Sequence, residues 1–316
     1  MNGREGKIKS QGSCMADWGW LKATGAVSHR ARLVLKSVAR LMGAGEGLAW
    51  REELRVVVDR RGDAPRTVHQ PDEMGRRHVV LCAEDGHWAQ WVFQWSHELV
   101  HVVAYAGEDA PPSPAAWAVS PWLWMEECLA AVAERAVLAV LAGSGPHSWR
   151  EAPPRAGWET FDVALAAYLG RLMTTSSSYI HAFSLPVRNA ASRDDMALLR
   201  GDTDASPAAP RARQEALARL LPVIVRCNVA RMAAEPYARR SIATRRLVAI
   251  ALADDVAASP AAMQAFWRLA AAVRDAACEP QDIRAYLVRW RARLADDQAA
   301  VLLLARLAAV LGHPLP

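Results

Sequence analysis

Residues 88–105, WAQWVFQWSHELVHVVAY, constrain this chain more than any other stretch. The run holds no Gly or Pro and is long enough for a helix of about five turns. With about 100° between successive residues, Trp88, Trp91, Trp95, Leu99 and Val102 gather on one side. Phe93, Val100 and Ala104 fill much of the remainder, and Gln94, His97, Glu98, His101 and Tyr105 share the face that is left. A helix apolar almost all round is buried. Two imidazoles and a carboxylate inside such a helix need partners, because unpaired buried charge is costly. His97 and His101 stand one turn apart on the same face, with Glu98 about 100° round from His97. Imidazoles so placed can ligate one tetrahedral zinc ion, with Glu98 as general base toward water. A metal satisfies all three groups at once.

A second element joins the first. Twenty-three residues after His101 the sequence reads Trp124-Met-Glu126-Glu127-Cys-Leu-Ala130, continuing to Glu134. Two adjacent carboxylates near the start of an otherwise apolar helix are hard to account for as solvated surface. A carboxylate ligand from this helix closes a two-histidine, one-glutamate site and leaves one coordination position open.

The HELVH and WMEECLA segments together resemble the gluzincins, the zincin group in which HExxH is followed by a glutamate ligand. LWMEECLA is similar to the W-L-x-E-G-x-A segment of aminopeptidase-like members, which places the ligand at Glu127 and the small residue one turn later at Ala130. Cys128 stands where that pattern has Gly. FQWSHELVHVV with WMEECLAAVAE also resembles bacterial and fungal proteins that pair an FSHELCH helix with an FEEALCE helix. A more distant likeness is to bacterial repressor-cleaving metallopeptidases. The resemblance covers about residues 79–142. It implies a zinc-dependent hydrolase of peptide (amide) bonds, with a peptide or protein as substrate and Zn2+ held by His97, His101 and Glu127. It further implies that His78–Cys82 forms a sheet edge beside the cleft, to which an extended peptide can add. A Tyr or His beyond the third ligand is expected to stabilise the oxyanion, and Tyr179 is the first choice, with His181, Tyr168 and Tyr105 as alternatives. Glu126 and Glu134 are placed to orient the ligands from behind; for Glu134 an ion pair with an arginine on the bundle surface is the alternative.

Composition bounds the remainder. Apolar residues make up 52% of 316, enough for a sizeable core, so the chain is neither disordered nor fibrous. The net charge of +5 is spread over short Arg pieces with no block of five or six, so a nucleic-acid partner is not expected. Five cysteines, an odd number with no CxxC pair, point away from a disulfide framework and from a structural Cys-zinc site. The first residues carry charge without an apolar run behind them, and no stretch approaches the ~18 apolar residues of a membrane span. A cytoplasmic protein without a membrane partner is the expectation. The other histidines show no metal spacing, and the tryptophans read as core.

The expected fold class is α+β, mainly α: a zincin-like domain with a small sheet packed on the active-site helix, plus a C-terminal helical subdomain. Residues 1–17 read as a flexible tail, 18–200 as the zincin-like domain, 201–210 (GDTDASPAAP) as a linker, and 211–316 as the helical subdomain. Within the domain we expect a helix over 18–42, strands at Leu54–Asp59 and His78–Cys82, a loop at Arg60–Pro65, and a helix from Trp88 capped by Asp85. Further helices are expected over Trp122–Leu141 and Thr160–Met173, the latter closed by a Ser-rich turn at Thr174–Ser178. Segments such as RQEALARLLPVIV and DIRAYLVRWRARLADD are amphipathic. They motivate a second functional reading, a non-catalytic helical interaction protein on a zincin-derived scaffold.

Overall fold

The computed structural model describes residues 21–24, 27–41, 54–58, 64–68, 72–74, 77–105, 123–143, 161–181, 237–274 and 282–315. Among these lie four strands and eight helices. The strands are β1 (Leu21–Thr24), β2 (Leu54–Val58), β3 (Arg66–Val68) and β4 (Arg77–Leu81). The helices are α1 (His29–Leu41), α2 (Trp88–Tyr105), α3 (Leu123–Leu141), α4 (Phe161–His181) and α5 (Tyr237–Ala257). After them come α6 (Pro260–Ala271), α7 (Ile283–Arg293) and α8 (Gln298–Val310). The fold is mainly helical with a small mixed sheet. The expected linker at 201–210 and the tail at 1–17 lie outside the described residues.

The sheet runs β1-β2-β4-β3, with β1, β2 and β4 parallel and β3 antiparallel to β4. Two expectations change here. Strand β4 occupies the segment foreseen at His78–Cys82 but pairs on both sides, so it is an interior strand. The edge beside α2 is β3, three residues just past the loop expected at Arg60–Pro65. So short a strand has no alternation to announce it, and pairing with β4 is what extends it. The helix expected over 18–42 is instead β1 followed by α1. Ser28 sets the start of α1: its hydroxyl accepts from the Ala31 N–H at 3.1 Å and its carbonyl from Arg32.

Helix α2 starts where expected, but His87 rather than Asp85 precedes it. The His87 carbonyl accepts from the Gln90 and Trp91 N–H groups. Gly86, at φ +89°, makes the turn into the helix, a backbone state that a side chain rarely adopts. Valines and tryptophans are middling helix formers, so tertiary burial must carry α2. Trp91 and Trp95 are fully buried. Each removes about 150–250 Å² from water, an upper bound of roughly 4–6 kcal/mol. Their indole N–H groups are not stranded: Trp95 donates to the Leu35 carbonyl on α1 at 3.0 Å and Trp91 to the Glu84 carbonyl at 2.8 Å.

Around α2 pack α1, β3 and β4 on one side and α3, α4 and α6 on the other. Helix α3 lies along α5, and α6 packs on α5 and α8. The helices of 211–316 thus share one apolar core with α2 and α3. The Ser-rich stretch expected as a turn is helical and extends α4 to His181. With no Gly or Pro over 171–181, nothing in the sequence forces the helix to stop. No described helix is long and apolar enough to cross a membrane.

Candidate metal centre

Helices α2 and α3 meet along the face that carries the ionisable residues. His97 and His101, one turn apart on α2, have ring centroids 5.0 Å apart. Glu127 of α3 faces both: its Oε2 lies 3.6 Å from His97 Nε2 and its Oε1 lies 3.6 Å from His101 Nε2. The three side chains bring one ligand atom each within 4.8 Å of one another. Atoms bound to a tetrahedral zinc at about 2.0–2.2 Å lie roughly 3.3–3.6 Å apart, so the cluster has the right size.

The far side of each ring supplies a second test of fit. His97 Nδ1 donates to Glu134 Oε1 at 2.6 Å, and His101 Nδ1 donates to Glu126 Oε1 at 2.5 Å. Burial raises the Glu134 pKa, against the His97 hydrogen bond and charge; with both carboxylates ionised they only accept, and each Nδ1 then carries the proton. In the neutral ring each Nε2 is then left with its lone pair turned toward Glu127. That tautomer is the one a metal-ligating histidine needs. Both acids come from α3, on either side of Glu127; Glu134 pairs with His97, and the charge of Arg135 acts on it as well. Burial acts to lower the pKa of His97, but the hydrogen bond and charge of Glu134, with the charges of Glu127 and Glu98, outweigh it and raise the ring to about 9. A bound cation would take the place of that proton. The donor set therefore fits a zinc ion.

Glu126 is fully buried and paired twice. Arg274, in the turn after α6, donates through Nε to Oε2 and through Nη2 to Oε1, both at 2.9 Å. Burial works against the charged carboxylate, but the His101 and Arg274 hydrogen bonds and charges hold it down at about 2. Glu127 receives Arg245 of α5, whose Nη1 lies 2.9 Å from Oε2. Glu98 is buried on α2, and Thr67 of β3 donates to its Oε2 at 2.7 Å. Arg274, Arg245 and Thr67 are the contributors that the sequence reading misses. Each comes from an element with no local pattern tying it to HExxH.

The proposed oxyanion donors divide. The side chains of Tyr179 and His181 lie outside the described residues. Tyr168 of α4 packs edge-on against Phe93, with centroids 5.5 Å apart, and burial followed by the charge of Glu134 raises its pKa. Two guanidinium groups lie against the ring of Tyr105: Arg77 at 3.8 Å and Arg274 at 5.1 Å from the centroid. Cys128, in the place of the expected Gly, is a fully buried free thiol whose pKa burial pushes up. It belongs to the apolar core.

The arrangement can hold a divalent cation, keep a carboxylate beside it, and present positive charge at its rim. No family model matches this chain, no curated protein matches it, and no solved structure matches it.

Proposed function

We propose that this chain is a zinc-dependent hydrolase of peptide (amide) bonds, of the gluzincin type. The observation that carries the reading is the convergence of two Nε2 atoms on Glu127 while both Nδ1 atoms are tied to carboxylates. A plain cluster of ion pairs has no need to fix both tautomers in the same sense. His97, His101 and Glu127 would hold the zinc, which when bound supplies a Lewis acid for water and for the scissile carbonyl.

The other steps belong to the chain. Glu98 is the general base: its carboxylate takes a proton from water and returns it to the leaving amine. The hydroxyl of Thr67 fixes that carboxylate through Oε2. Thr67 sits on β3, the edge strand, so an extended peptide added to that edge would lie beside Glu98. Arg245, one third exposed and next to Glu127, offers positive charge for the oxygen that becomes anionic. It stands beside Tyr179 as a candidate donor.

The test separates binding from chemistry. Glu98→Gln keeps the shape but not the proton acceptor. Zinc content should stay stoichiometric while hydrolysis of a broad peptide library falls by about 10²–10⁴. His101→Ala should lose zinc and activity together, and phenanthroline should reproduce that loss reversibly. A Glu98→Gln variant as fast as wild type removes the mechanism. The alternative, a non-catalytic interaction protein, draws on Val288 and Leu302, which stay exposed on α7 and α8. A wild type that holds zinc and cleaves nothing in the library favours it.

A further inference from the structure

Resting on the metal-binding reading above, we infer that Arg274 is a positioning residue for the metal site, and that through it the C-terminal helices set how tightly the site holds its cation. Arg274 stands 148 residues from Glu126 in the chain. Both side chains are withdrawn from solvent, with 1% and 0% of their surface exposed. Taking two charges out of water is costly, and an apolar pair of the same volume commonly serves a core as well or better. Stability of the core is therefore a poor reason for this pair.

The geometry supplies a better one. Glu126 Oε1 accepts from Arg274 Nη2 and from His101 Nδ1, while Oε2 accepts from Arg274 Nε. The two-pronged contact fixes the plane of the carboxylate, which a single point charge cannot do. The fixed plane sets the rotation of the His101 ring, and the ring sets where Nε2 points. Tyr105 packs against Arg274 at 5.1 Å and lies one turn beyond His101 on α2, so the guanidinium is braced from the ligand helix as well. Arg274 lies in the turn that follows α6, and α6 packs directly on α2. Segments 97–134 hold the ligands, but part of their orientation is imported from residues far later in the chain.

Zinc affinity of the full chain, read by competition with a chromophoric chelator, tests this. Arg274→Lys keeps the charge and loses the fork. Glu126→Gln keeps the shape and loses the charge. Each should weaken Zn2+ binding about ten- to a hundredfold. Because they act through one link, the double variant should be no weaker than the worse single. In the Co2+-loaded protein the visible bands of Arg274→Lys should shift, as the ligand field of His101 changes. Leu304→Ala, in α8 away from the site, controls for stability and should keep wild-type affinity. Should Arg274→Lys fail to fold, Glu126→Gln and the charge-balanced pair Arg274→Met with Glu126→Gln carry the test. Wild-type affinity in the folded variants overturns the inference and leaves the metal reading standing, as does an equal loss in Leu304→Ala. A wild type that binds no Zn2+ overturns both.

Discussion

The seam between α2 and α3 and the bundle of α6, α7 and α8 bury polar groups in opposite ways. In the bundle, two buried aromatic side chains are settled by backbone carbonyls. Tyr286 donates to the Val273 carbonyl at 3.0 Å and Trp290 to the Leu269 carbonyl at 3.1 Å. Three helix starts there are capped by side chains: Ser259, Asp282 and Asp297 each accept from a backbone N–H three residues on. In the seam, the ionisable groups are settled by other side chains across elements. His97 meets Glu134, His101 meets Glu126, and Glu98 meets Thr67. Settlement by backbone secures helix ends and satisfies single atoms. Pairing of side chains across elements fixes directions in space, which is what a ligand set requires.

If the two regions divide labour in this way, damage to the bundle core should lower stability without moving the site. Leu304 is fully buried on α8. Leu304→Ala should cost about 2–5 kcal/mol, through lost burial and the cavity left behind. Denaturant titration measures the loss, and the same protein should bind Zn2+ as wild type does. A parallel fall in zinc affinity would break the comparison, because the bundle would then act on the site through its packing at large and not through Arg274.

How much of this was legible in the sequence follows the same line. His97, Glu98 and His101 declare themselves by spacing on one helix, and Glu127 by an acid pair in an apolar run. The structure brings all three expected ligands together. Glu134 sits two turns beyond Glu127 on the same helix, and that spacing is visible too. Arg274, Arg245 and Thr67 are invisible because their partners are set by how distant elements pack, and no local period records that. The fold divides similarly. Helix α2 carries eighteen residues of pattern and could be bounded within one residue. The four residues of β1 and three of β3 carry none, and pairing with neighbours decides them. At α4 the serines were read as a stop, yet Ser is a weak helix former and not a breaker, so the helix continues to His181.

A smaller effect sharpens the seam's side of the comparison. Glu134 orients His97 as Glu126 orients His101, but Glu134 is the less buried of the two, with 12% of its side chain exposed against 0%. Glu134→Gln keeps an oxygen able to accept from Nδ1 and removes the charge that draws the ring proton. Zn2+ affinity should fall by about tenfold, toward the lower end of what such partners contribute. Chelator competition reads it. A larger fall than for Glu126→Gln would reverse the ranking of the two orienting acids and weaken the case for Arg274.

The smallest effect tests the bundle's side. Asp297 caps α8: its Oδ1 accepts from the Ala300 N–H at 3.0 Å, and its Oδ2 pairs with Arg268 of α6. The arginine is half exposed, so solvent screens that pair and the cap carries most of the effect. Asp297→Ala should therefore cost about 1 kcal/mol. The pH dependence has a definite sign. Partial burial acts to raise the carboxyl's pKa, but the Arg268 hydrogen bond and charge and the Ala300 and Ala299 backbone N–H groups outweigh it and lower it below the ordinary 3.8. A lowered folded-state pKa means that the native state holds its proton less tightly than the unfolded chain does. The contribution is then fully present above pH 3.8 and is lost as pH falls through the lowered value. The stability gap between wild type and Asp297→Ala should stay constant near neutrality and narrow in acid. It should also leave Zn2+ affinity at neutral pH untouched, since the cap satisfies backbone groups and directs no ligand. A gap that widens in acid would show that the alanine removes something other than a charged cap.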